Sequence, residues 1–471
     1  MSAETVSLAS ECVVDLSPLE AFERFGRDDT ASWLFRAQCH RIAPGYAVSV
    51  DLPSMQGVSV LGHFRVVHPG RRIVIEHDQP WRGQLHVTFN ALNLNQTRVR
   101  VRAEVPIEGA HWLAEHRGAR LPLPPPTAAR RVGLLTSKSG SGAIYAVAAE
   151  YMAQLAVEEA NTSGGVSDRS VEVLVADDAT DHIQAKRETT RLIEAGCHAI
   201  FACVTSASFG AAVEAARHHD VLMVHPVINE GGMQGDKVIR FGERPSAQID
   251  ALAKLAERSA GGNRWFLVGQ QYSWSWGANR AAQQVLDRSG GNVVAKRYTP
   301  LGTRDFTSII ESIRASGTDI VMSSLVGADE VAFQQQAHDA GLQDFASRVS
   351  LVMDESTLEH VGIDAGRGIW AALNYFQSAA TNTRGISTMY RERFGPWAPP
   401  LSSLSINIYE SVRQYLQLAA LHPDSSATAL ARLWRERRTK SSVVGERDLA
   451  HQRLYLAQCG DAGLRVIDSA G

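Results

Sequence analysis

The stretch "RWFLVGQQYSWSWGANRAAQQVLDRSGG", residues 264–291, decides the fold class of most of this chain. It begins with a nearly continuous apolar run, 264–270, and continues into an amphipathic segment, 276–291, that ends in two glycines. Buried strands of parallel sheets are apolar on both faces, and glycine is common where a helix ends. The stretch therefore predicts a strand and a helix of a parallel α/β sheet.

The same alternation recurs on both sides of that stretch. The other predicted strands are "RRVGLLTS", "VEVLVADD", "HAIFACVT", "VLMVHPV", "DIVMSSLVG" and "VSLVMD". The helices between them include "AVAAEYMAQLAVEEAN", "HIQAKRETTRLIEAG", "SAQIDALAKLAERSAG" and "DFTSIIESIRASG". Such alternation predicts βαβ units. Residues 129–471 are too many for one such sheet, so we predict two lobes: lobe 1 is mainly 129–242 plus segments returning after about residue 375, and lobe 2 is mainly 243–374 plus C-terminal segments.

The first 116 residues follow a different period. The segments "VSVLGHFRVVHPGRRIVIEH" (58–77) and "QLHVTFNALNLNQTRVRVRAEV" (84–105) alternate apolar and polar residues around a turn. Period two around a turn predicts antiparallel hairpins. Residues 1–116 are therefore predicted to be an α+β domain with an antiparallel sheet. The proline-rich stretch "RGARLPLPPPTAARR" follows and predicts an extended linker over 117–128.

Composition and charge narrow the class of protein. Lys and Arg number 47 against 50 Asp and Glu, giving a net charge of -3. No basic block or long apolar run is present, so we expect neither direct nucleic-acid binding nor membrane insertion. The five scattered cysteines and the lack of a signal-like start favour a cytoplasmic protein. A periplasmic or cell-surface location is the alternative if the true start lies upstream.

Motifs for catalysis are missing from the sequence. No GxSxG elbow, GxxxxGK[ST] phosphate loop, opening GxGxxG or HExxH zinc motif occurs where it would act. The expectation is a protein that is not an enzyme and that holds no cofactor and no metal.

Candidate binding residues follow the predicted strands, because ligands of open parallel sheets bind beyond the carboxyl ends of strands. Small hydroxyls cluster there in lobe 1, while aromatic and acidic residues cluster in lobe 2. The ligand-binding candidates are Ser139, Ser141, Thr205, Ser206, Ser208, His225, Tyr272, Trp274, Gly327, Asp329 and Asp354. Each has a structural alternative: Ser206 or Ser208 can cap a helix, Asp354 can do the same, and Tyr272 can pack between lobes.

Several segments carry a family resemblance. They are "VEEANTSGGVSDRSVEVLVADDATD", "ACVTSASFGAAVEAA", the stretch 266–321, "VGADEVAFQQQAHDAGL" and "AALNYFQS". From about residue 129 to the end, the chain resembles type I periplasmic binding proteins, the substrate-binding proteins of ABC transporters. Within that family it is most similar to the branch that binds urea and short-chain amides, which is related to branched-chain amino-acid receptors.

That resemblance implies two lobes that close on a small polar solute without chemistry. It implies that the turn 205–208 grips the solute and that Tyr272 faces it. The family's Asn-Gly-Asp turn is here Val326-Gly327-Ala328, and His225 stands where an aromatic residue is common. These departures imply an altered solute.

The first domain carries a second resemblance. Through its fold pattern and "FRVVHPGRRIVIEHDQPWRG", residues 10–115 resemble Bet v 1/START-like (SRPBCC) domains near the activator-of-Hsp90-ATPase homologues. The resemblance implies a sheet wrapped around a long helix, although "HWLAEHRGARL" is short for that helix.

Two functional hypotheses result. In the first, the chain binds an amide, a urea-like compound or an aliphatic amino acid by hinge closure, as a transport receptor or a cytosolic ligand sensor. Its partner would be an ABC permease or a regulatory protein. In the second, the N-terminal domain is an enzyme or a carrier of apolar ligands that the α/β part regulates. His63, His77 and His86 would then be its acid–base candidates.

Overall fold

A computed structural model describes residues 5–26, 33–51, 58–116, 127–232, 234–377, 385–440 and 453–470. The predicted linker at 117–128 lies outside these ranges except for its last two residues. The described residues form two compact units. The first holds those up to residue 116 together with Lys138–Gly140 and Gly395–Ala398, and the second holds the others from residue 127 onward.

The first unit is built on a seven-stranded antiparallel sheet with strand order β1-β7-β6-β5-β4-β3-β2. Its elements are β1 (Thr5–Val14), α1 (Pro18–Arg24), β2 (Arg36–Gln38), β3 (Ala47–Asp51), β4 (Ser59–His68), β5 (Arg72–Gln79), β6 (Gly83–Asn93), β7 (Gln96–Pro106) and α2 (Ile107–His116). The predicted hairpins are β4–β5 and β6–β7. Phe22 and Phe25 of the α1 segment pack with Phe64, Ile75 and Val87 in the core of this unit. The Bet v 1/START-like resemblance stays a prediction.

The three histidines proposed for catalysis in this unit do not converge. His63 of β4 lies opposite Glu76 of β5, so these two side chains are on the same face of the sheet. His77 follows Glu76 in β5 and therefore points to the other face. His77 is fully buried, and burial lowers its pKa to about 4. That the first unit is an enzyme stays a prediction, and these three histidines do not form one site that would support it.

Lobe 1 of the second unit is a five-stranded parallel sheet with the order β12-β11-β10-β8-β9. Its elements are β8 (Arg130–Thr136), α3 (Ala146–Thr162), β9 (Val171–Asp177), α4 (His182–Glu194), β10 (Cys197–Cys203), α5 (Ser206–Ala215), β11 (Leu222–His225) and β12 (Val238–Arg240). A 3-10 turn, Ala143–Tyr145, precedes α3. The apolar runs that were predicted as strands do form strands in this lobe. They are apolar on both faces because helices cover both faces of the sheet.

Lobe 2 holds a seven-stranded mixed sheet with the order β14-β13-β15-β16-β17-β18-β19. Its elements are α6 (Pro245–Ala260), β13 (Arg264–Gln270), α7 (Ser273–Ser289), β14 (Asn292–Thr299), α8 (Thr307–Ser316), β15 (Ile320–Ser323), α9 (Ala328–Asp339), β16 (Ser347–Ser350), α10 (Glu355–Val361), α11 (Ile363–Gly366) and β17 (Trp370–Leu373). A 3-10 turn, Leu342–Asp344, precedes β16. Strand β14 was not predicted from the sequence. It lies at the edge of the sheet, and Lys296 and Arg297 interrupt its apolar pattern.

The C-terminal elements return to both lobes. They are α12 (Ile386–Phe394), α13 (Ser403–Leu421), α14 (Ala427–Lys440), β18 (Leu454–Gly460) and β19 (Gly463–Ala470). Helix α13 packs on α3, and α14 packs on β11 and β12 of lobe 1. Strands β18 and β19 extend the lobe 2 sheet in antiparallel fashion. Within the ranges that the structure describes, no helix is both long enough and apolar enough to cross a membrane.

Candidate functional site

A cavity lies between the two lobes of the second unit, and its empty space, open solvent included, is about 580 Å³. Residues that follow strands β8, β10 and β11 line it from lobe 1, and residues that follow β13, β15 and β16 line it from lobe 2. The lining residues are Ser137, Gly142, Tyr145, Cys203, Val204, Thr205, Ser206, Val227, Ile228, Tyr272, Trp274, Val326, Val352 and Leu404. The carboxyl ends of the strands in both sheets thus meet at one space, as is usual for ligand sites in open α/β sheets.

The start of α5 forms the polar wall of this cavity. Thr205 is the N-cap residue of the helix, and its hydroxyl accepts a hydrogen bond from the Ser208 amide at 3.2 Å. The first turn of a helix leaves amide groups without an intrahelical acceptor, here those of Ser206 and Ala207. The helix dipole adds partial positive charge at this end. The wall can therefore donate to a carbonyl or carboxylate oxygen.

Side-chain hydroxyls on this wall bond to acids behind it. The Ser137 hydroxyl donates to Oδ1 of Asp178 at 2.6 Å, and the Ser206 hydroxyl donates to Oε2 of Glu230 at 2.6 Å. Asp178 is fully buried. Burial raises its pKa to about 6, although the bonds from Ser137 and Ser208 partly oppose that rise. The acids fix the hydroxyls in place without lining the cavity themselves.

Lobe 2 supplies the aromatic wall. Trp274, in the first turn of α7, is only 3% exposed, and its indole N–H donates to the Ser324 carbonyl at 2.9 Å. Trp276 on the same helix is 51% exposed and does not line the cavity. Tyr272, the N-cap residue of α7, lines the cavity beside Trp274. Burial, helped by Glu230, raises the pKa of the Tyr272 phenol, so the phenol is a neutral group that can donate or accept.

Tyr145 and the turn at Gly327 join the two lobes at one edge of the cavity. The Gly327 amide donates to the Tyr145 hydroxyl at 3.2 Å, and the Ala328 amide donates to the Ser141 carbonyl at 2.8 Å. Gly327 has φ +61, and an added Cβ would lie 1.8 Å from the Ser141 carbonyl oxygen. Only glycine permits this approach. The two lobes are therefore in contact at one edge of the cavity.

Four of the eleven predicted binding residues line the cavity: Thr205, Ser206, Tyr272 and Trp274. The alternative role of this turn, to cap a helix, is also observed. The capping residue is Thr205, whereas the sequence suggested Ser206 or Ser208. The other seven lie elsewhere. They are Ser139, Ser141, Ser208, His225, Gly327, Asp329 and Asp354.

His225 lies behind the polar wall. Its ring stacks on Phe209 with centroids 4.2 Å apart. An Arg240 guanidinium nitrogen lies 3.0 Å from Nδ1, and the Val204 carbonyl lies 3.1 Å from Nε2. Because arginine can only donate, Nδ1 accepts and Nε2–H donates to Val204. Burial lowers the pKa of His225 to about 3, so a neutral imidazole holds the end of β10 in place.

The acids predicted in lobe 2 bond within the protein. Asp329 accepts from the Gln270 side chain at 2.8 Å and from the Gly302 amide at 2.8 Å. Asp354 is the N-cap residue of α10 and accepts from the Thr357 amide at 2.8 Å. Both acids are fully buried. Their hydrogen bonds hold loops that surround the cavity.

Ser139 and Ser208 complete the set. Ser208 is fully buried and lies one turn into α5, where its hydroxyl accepts from Thr205 at 3.2 Å. Ser139 is buried too, and the short segment Lys138–Gly140 groups with the first unit. Neither side chain reaches the cavity.

Ten lining residues were not predicted. Most are apolar and stand at strand ends, where the candidates chosen from the sequence were mainly polar and aromatic; Val204, Val227, Val326 and Val352 are of this kind. Ser137 stands directly after β8 and could have been found by the same rule as Thr205. Leu404 lies at the start of α13, far along the chain from the other residues, and nothing local in the sequence points to it.

Among the described residues that line the cavity, none has an acidic or basic side chain. In the part of the chain that the structure describes, no group of three or more His, Cys, Asp or Glu residues could hold a metal ion. Cys203 is the cavity's one thiol, and burial raises its pKa to about 12, so it is not a nucleophile at neutral pH. The site can bind and orient a solute through hydrogen bonds and apolar contacts.

Comparisons with known proteins agree with this geometry. The family model for periplasmic binding proteins matches residues 130–461. Leu/Ile/Val-binding protein homolog 8 of Brucella abortus (strain 2308) is 29% identical over 333 residues, which cover 64% of this chain and 80% of that relative.

Solved structures share the fold at low sequence identity. A solute-binding protein of an ABC transporter from Rhodopseudomonas palustris HaA2, in complex with p-hydroxybenzoic acid, has a TM-score of 0.64 at 19% identity and covers 73% of this chain and 97% of its own. The substrate-binding protein LivJ from Streptococcus pneumoniae, in complex with isoleucine, has a TM-score of 0.62 at 17% identity, with coverages of 73% and 99%.

Proposed function

Because the chain belongs to the periplasmic binding protein family, with residues 130–461 matching its model, we propose that it is a non-enzymatic receptor for a small solute held between its two lobes. The observation that carries the proposal is the interlobe cavity, whose empty space, open solvent included, is about 580 Å³. Hydroxyls, a helix N-terminus and apolar side chains form its lobe 1 side, and aromatic and aliphatic side chains form its lobe 2 side.

The lining favours a solute with one compact polar head group and an apolar body. The head group would bond to Thr205, Ser206 and the free amides at the start of α5. The body would lie against Tyr272 and Trp274 and the valines of both lobes. Such division of the ligand between polar anchors and an apolar surround is common in small-molecule sites. It favours aliphatic or aromatic amides, and amino acids with apolar side chains, over urea, which has no apolar body.

Charge complementarity supports a head group that is neutral or zwitterionic. None of the described lining residues is charged, so an isolated ammonium or a dication would be desolvated without a partner among them. The solutes of similar proteins have apolar bodies: Leu/Ile/Val for the Brucella relative, and isoleucine and p-hydroxybenzoic acid for the solved structures.

Titration calorimetry of the full chain tests this proposal. The panel would contain short amides, urea, aliphatic amino acids and aromatic acids. We expect one class to bind with a 1:1 stoichiometry. The double variant Thr205→Ala/Ser206→Ala should weaken that binding by about tenfold to a hundredfold, because each lost hydrogen bond leaves a desolvated partner in the site.

A matched control is the variant Thr307→Ala/Ser308→Ala. It removes the same dipeptide from the start of α8, where both residues are exposed. Its affinity should equal that of the unmodified chain. Binding that survives in the cavity variant, or that falls equally in both variants, would refute the assignment of the site.

A role as a ligand sensor is a second proposal, supported by the antiparallel unit that precedes the family match. Hydrogen exchange of the full chain with and without ligand tests it. A sensor should show altered amide protection in residues 5–116 when the cavity is filled, whereas an independent unit should not. The cytoplasmic location stays a prediction, which fractionation of the source cells would check.

A further inference from the structure

The hydroxyls of the polar wall all point their protons away from the cavity. Ser137 donates to Asp178, and Ser206 donates to Glu230, both at 2.6 Å. Thr205 donates to the Ser208 hydroxyl at 3.2 Å. Two acids that do not line the cavity therefore take the protons of the Ser137 and Ser206 hydroxyls, and the Ser208 hydroxyl takes the proton of Thr205.

This arrangement fixes the direction of hydrogen bonding toward a ligand. A hydroxyl has one proton and two lone-pair sites. Once the proton is committed to a carboxylate, the oxygen can only accept from a ligand. A hydrogen bond to a charged acceptor is roughly twice as strong as one between neutral groups, so a ligand oxygen does not easily recapture that proton.

Resting on the proposed function, we propose that Asp178 and Glu230 are positioning residues that make the polar wall an acceptor surface, so that the cavity selects a head group with N–H donors over an isosteric carboxylate. Among the described residues of this wall, the donors left are the backbone amides at the start of α5. A head group that carries both a carbonyl oxygen and N–H groups satisfies both sets, whereas a carboxylate satisfies the amides alone.

The surroundings hold both acids in place for this role. Oδ1 of Asp178 also accepts from the Thr180 amide at 3.1 Å, which fixes the orientation of the carboxyl. Glu230 contacts lobe 2: a Cβ added to Gly277 of α7 would lie 2.5 Å from the Glu230 Cβ. Arg240 and Arg244 interact electrostatically with Glu230 and offset its charge near the cavity.

The test is calorimetry of the full chain with two matched pairs of probes, isobutyramide with isobutyrate and benzamide with benzoate. In the unmodified chain, the amide of each pair should bind on the order of tenfold more tightly, since the carboxylate leaves acceptors facing acceptors. In Asp178→Asn and Glu230→Gln, the new side-chain amide can donate to its serine, which frees the serine proton. The preference for the amide should then shrink severalfold.

The control is Asp305→Asn. Asp305 also accepts from a threonine hydroxyl and amide at a helix start, Thr307, but it is exposed and remote from the cavity lining. Its amide preference should equal that of the unmodified chain. A carboxylate that binds as well as its amide, or a preference that is the same in Asp178→Asn and Glu230→Gln as in the unmodified chain, overturns the proposal.

A second measurement needs no ligand and separates this proposal from the proposed function. Infrared difference spectra between the unmodified chain and Asp178→Asn identify the carboxylate band of Asp178. Removing the donor in Ser137→Ala should shift that band, because the carboxylate loses a short hydrogen bond. An unshifted band would overturn the proposal. If no probe binds but the band shifts, the result would count against the receptor function. The proposed orientation of the hydroxyls would still be supported.

Discussion

The two walls of the cavity use their strand ends in opposite ways. In lobe 1, the hydroxyls that follow β8 and β10 face the cavity, and their acid partners lie behind them. In lobe 2, the polar side chains at the strand ends bond within the lobe: Glu330 accepts from Ser323, Ser350 and Gln334. Valine and aromatic side chains face the cavity there instead. A strand end thus indicates which residues lie near a site, but not which of them point into it.

The largest effect should come from the buried network of lobe 2. Glu330→Ala leaves two serine hydroxyls, an amide and the nearby Arg348 without their carboxylate partner. We expect the free energy of unfolding to fall by about 3–5 kcal/mol, as for other buried charge partners that are removed. Urea denaturation measures this, with the exposed Glu311→Ala on α8 as the control. A stability like that of the control, together with lost solute binding, would show that lobe 2 also presents polar groups to the ligand.

Next is the contact between the lobes at Gly327. Gly327→Ala places a Cβ 1.8 Å from the Ser141 carbonyl oxygen, so the closed arrangement cannot form. We expect solute affinity to fall on the order of a hundredfold by calorimetry, since closure is needed for both walls to touch the ligand.

Gly317→Ala is the matched control for that variant. Gly317 has φ +60, but its added Cβ would meet only an Arg264 side-chain atom, at 3.6 Å. It carries the same backbone strain without the lobe contact. Equal losses of affinity in the two variants would mean that strain, and not closure, explains the effect.

The pH dependence of stability separates the buried acids of the two lobes from exposed ones. Burial raises the pKa of Asp354 to about 6 from an ordinary 3.8. The unfolded chain loses this proton at lower pH than the folded chain does, so stability falls as pH rises from about 4 to 6. Asp354→Asn can keep the cap on Thr357 and should raise the free energy of unfolding by about 1–3 kcal/mol at pH 7.5, and by almost nothing at pH 4.

Asp178→Asn should show the same pH pattern, because burial raises the pKa of Asp178 to about 6 as well. The difference between the lobes is in binding: Asp178→Asn should alter ligand preference and Asp354→Asn should not. Denaturation at the two pH values and calorimetry with the matched probes measure both effects. A stabilisation of Asp354→Asn that is equal at pH 4 and pH 7.5 would contradict the account of burial.

The smallest effect concerns the two tryptophans at the start of α7. Trp276→Phe should leave affinity within about twofold, because substitutions at exposed positions are usually near neutral. Trp274→Phe should reduce the fluorescence change that accompanies ligand binding, since Trp274 lines the cavity. A larger fluorescence loss in Trp276→Phe would place the ligand outside the cavity.

Much of the architecture could be predicted from the sequence, since long apolar strands and amphipathic helices are set by local periodicity. Strand β14 and the hairpin β18–β19 were missed, because edge and C-terminal strands lack a continuous apolar pattern. At the site, Thr205, Ser206, Tyr272 and Trp274 follow from position at strand ends. The alternative role of Asp354 as a helix cap also follows from the sequence, and the structure shows it. The direction of Asp329 could not be predicted, because it depends on the Gln270 side chain and the Gly302 amide, which distant segments contribute.

The proposed solute lies between a hydrogen-bonding wall in lobe 1 and an aromatic wall in lobe 2. A crystal structure of the full chain with the panel compound that binds most tightly would locate it. We expect a polar atom of the compound within about 3 Å of the Ser206 amide or hydroxyl, with its apolar body against Tyr272 and Trp274. Density for the compound at any other place, with this cavity unchanged, would contradict this placement.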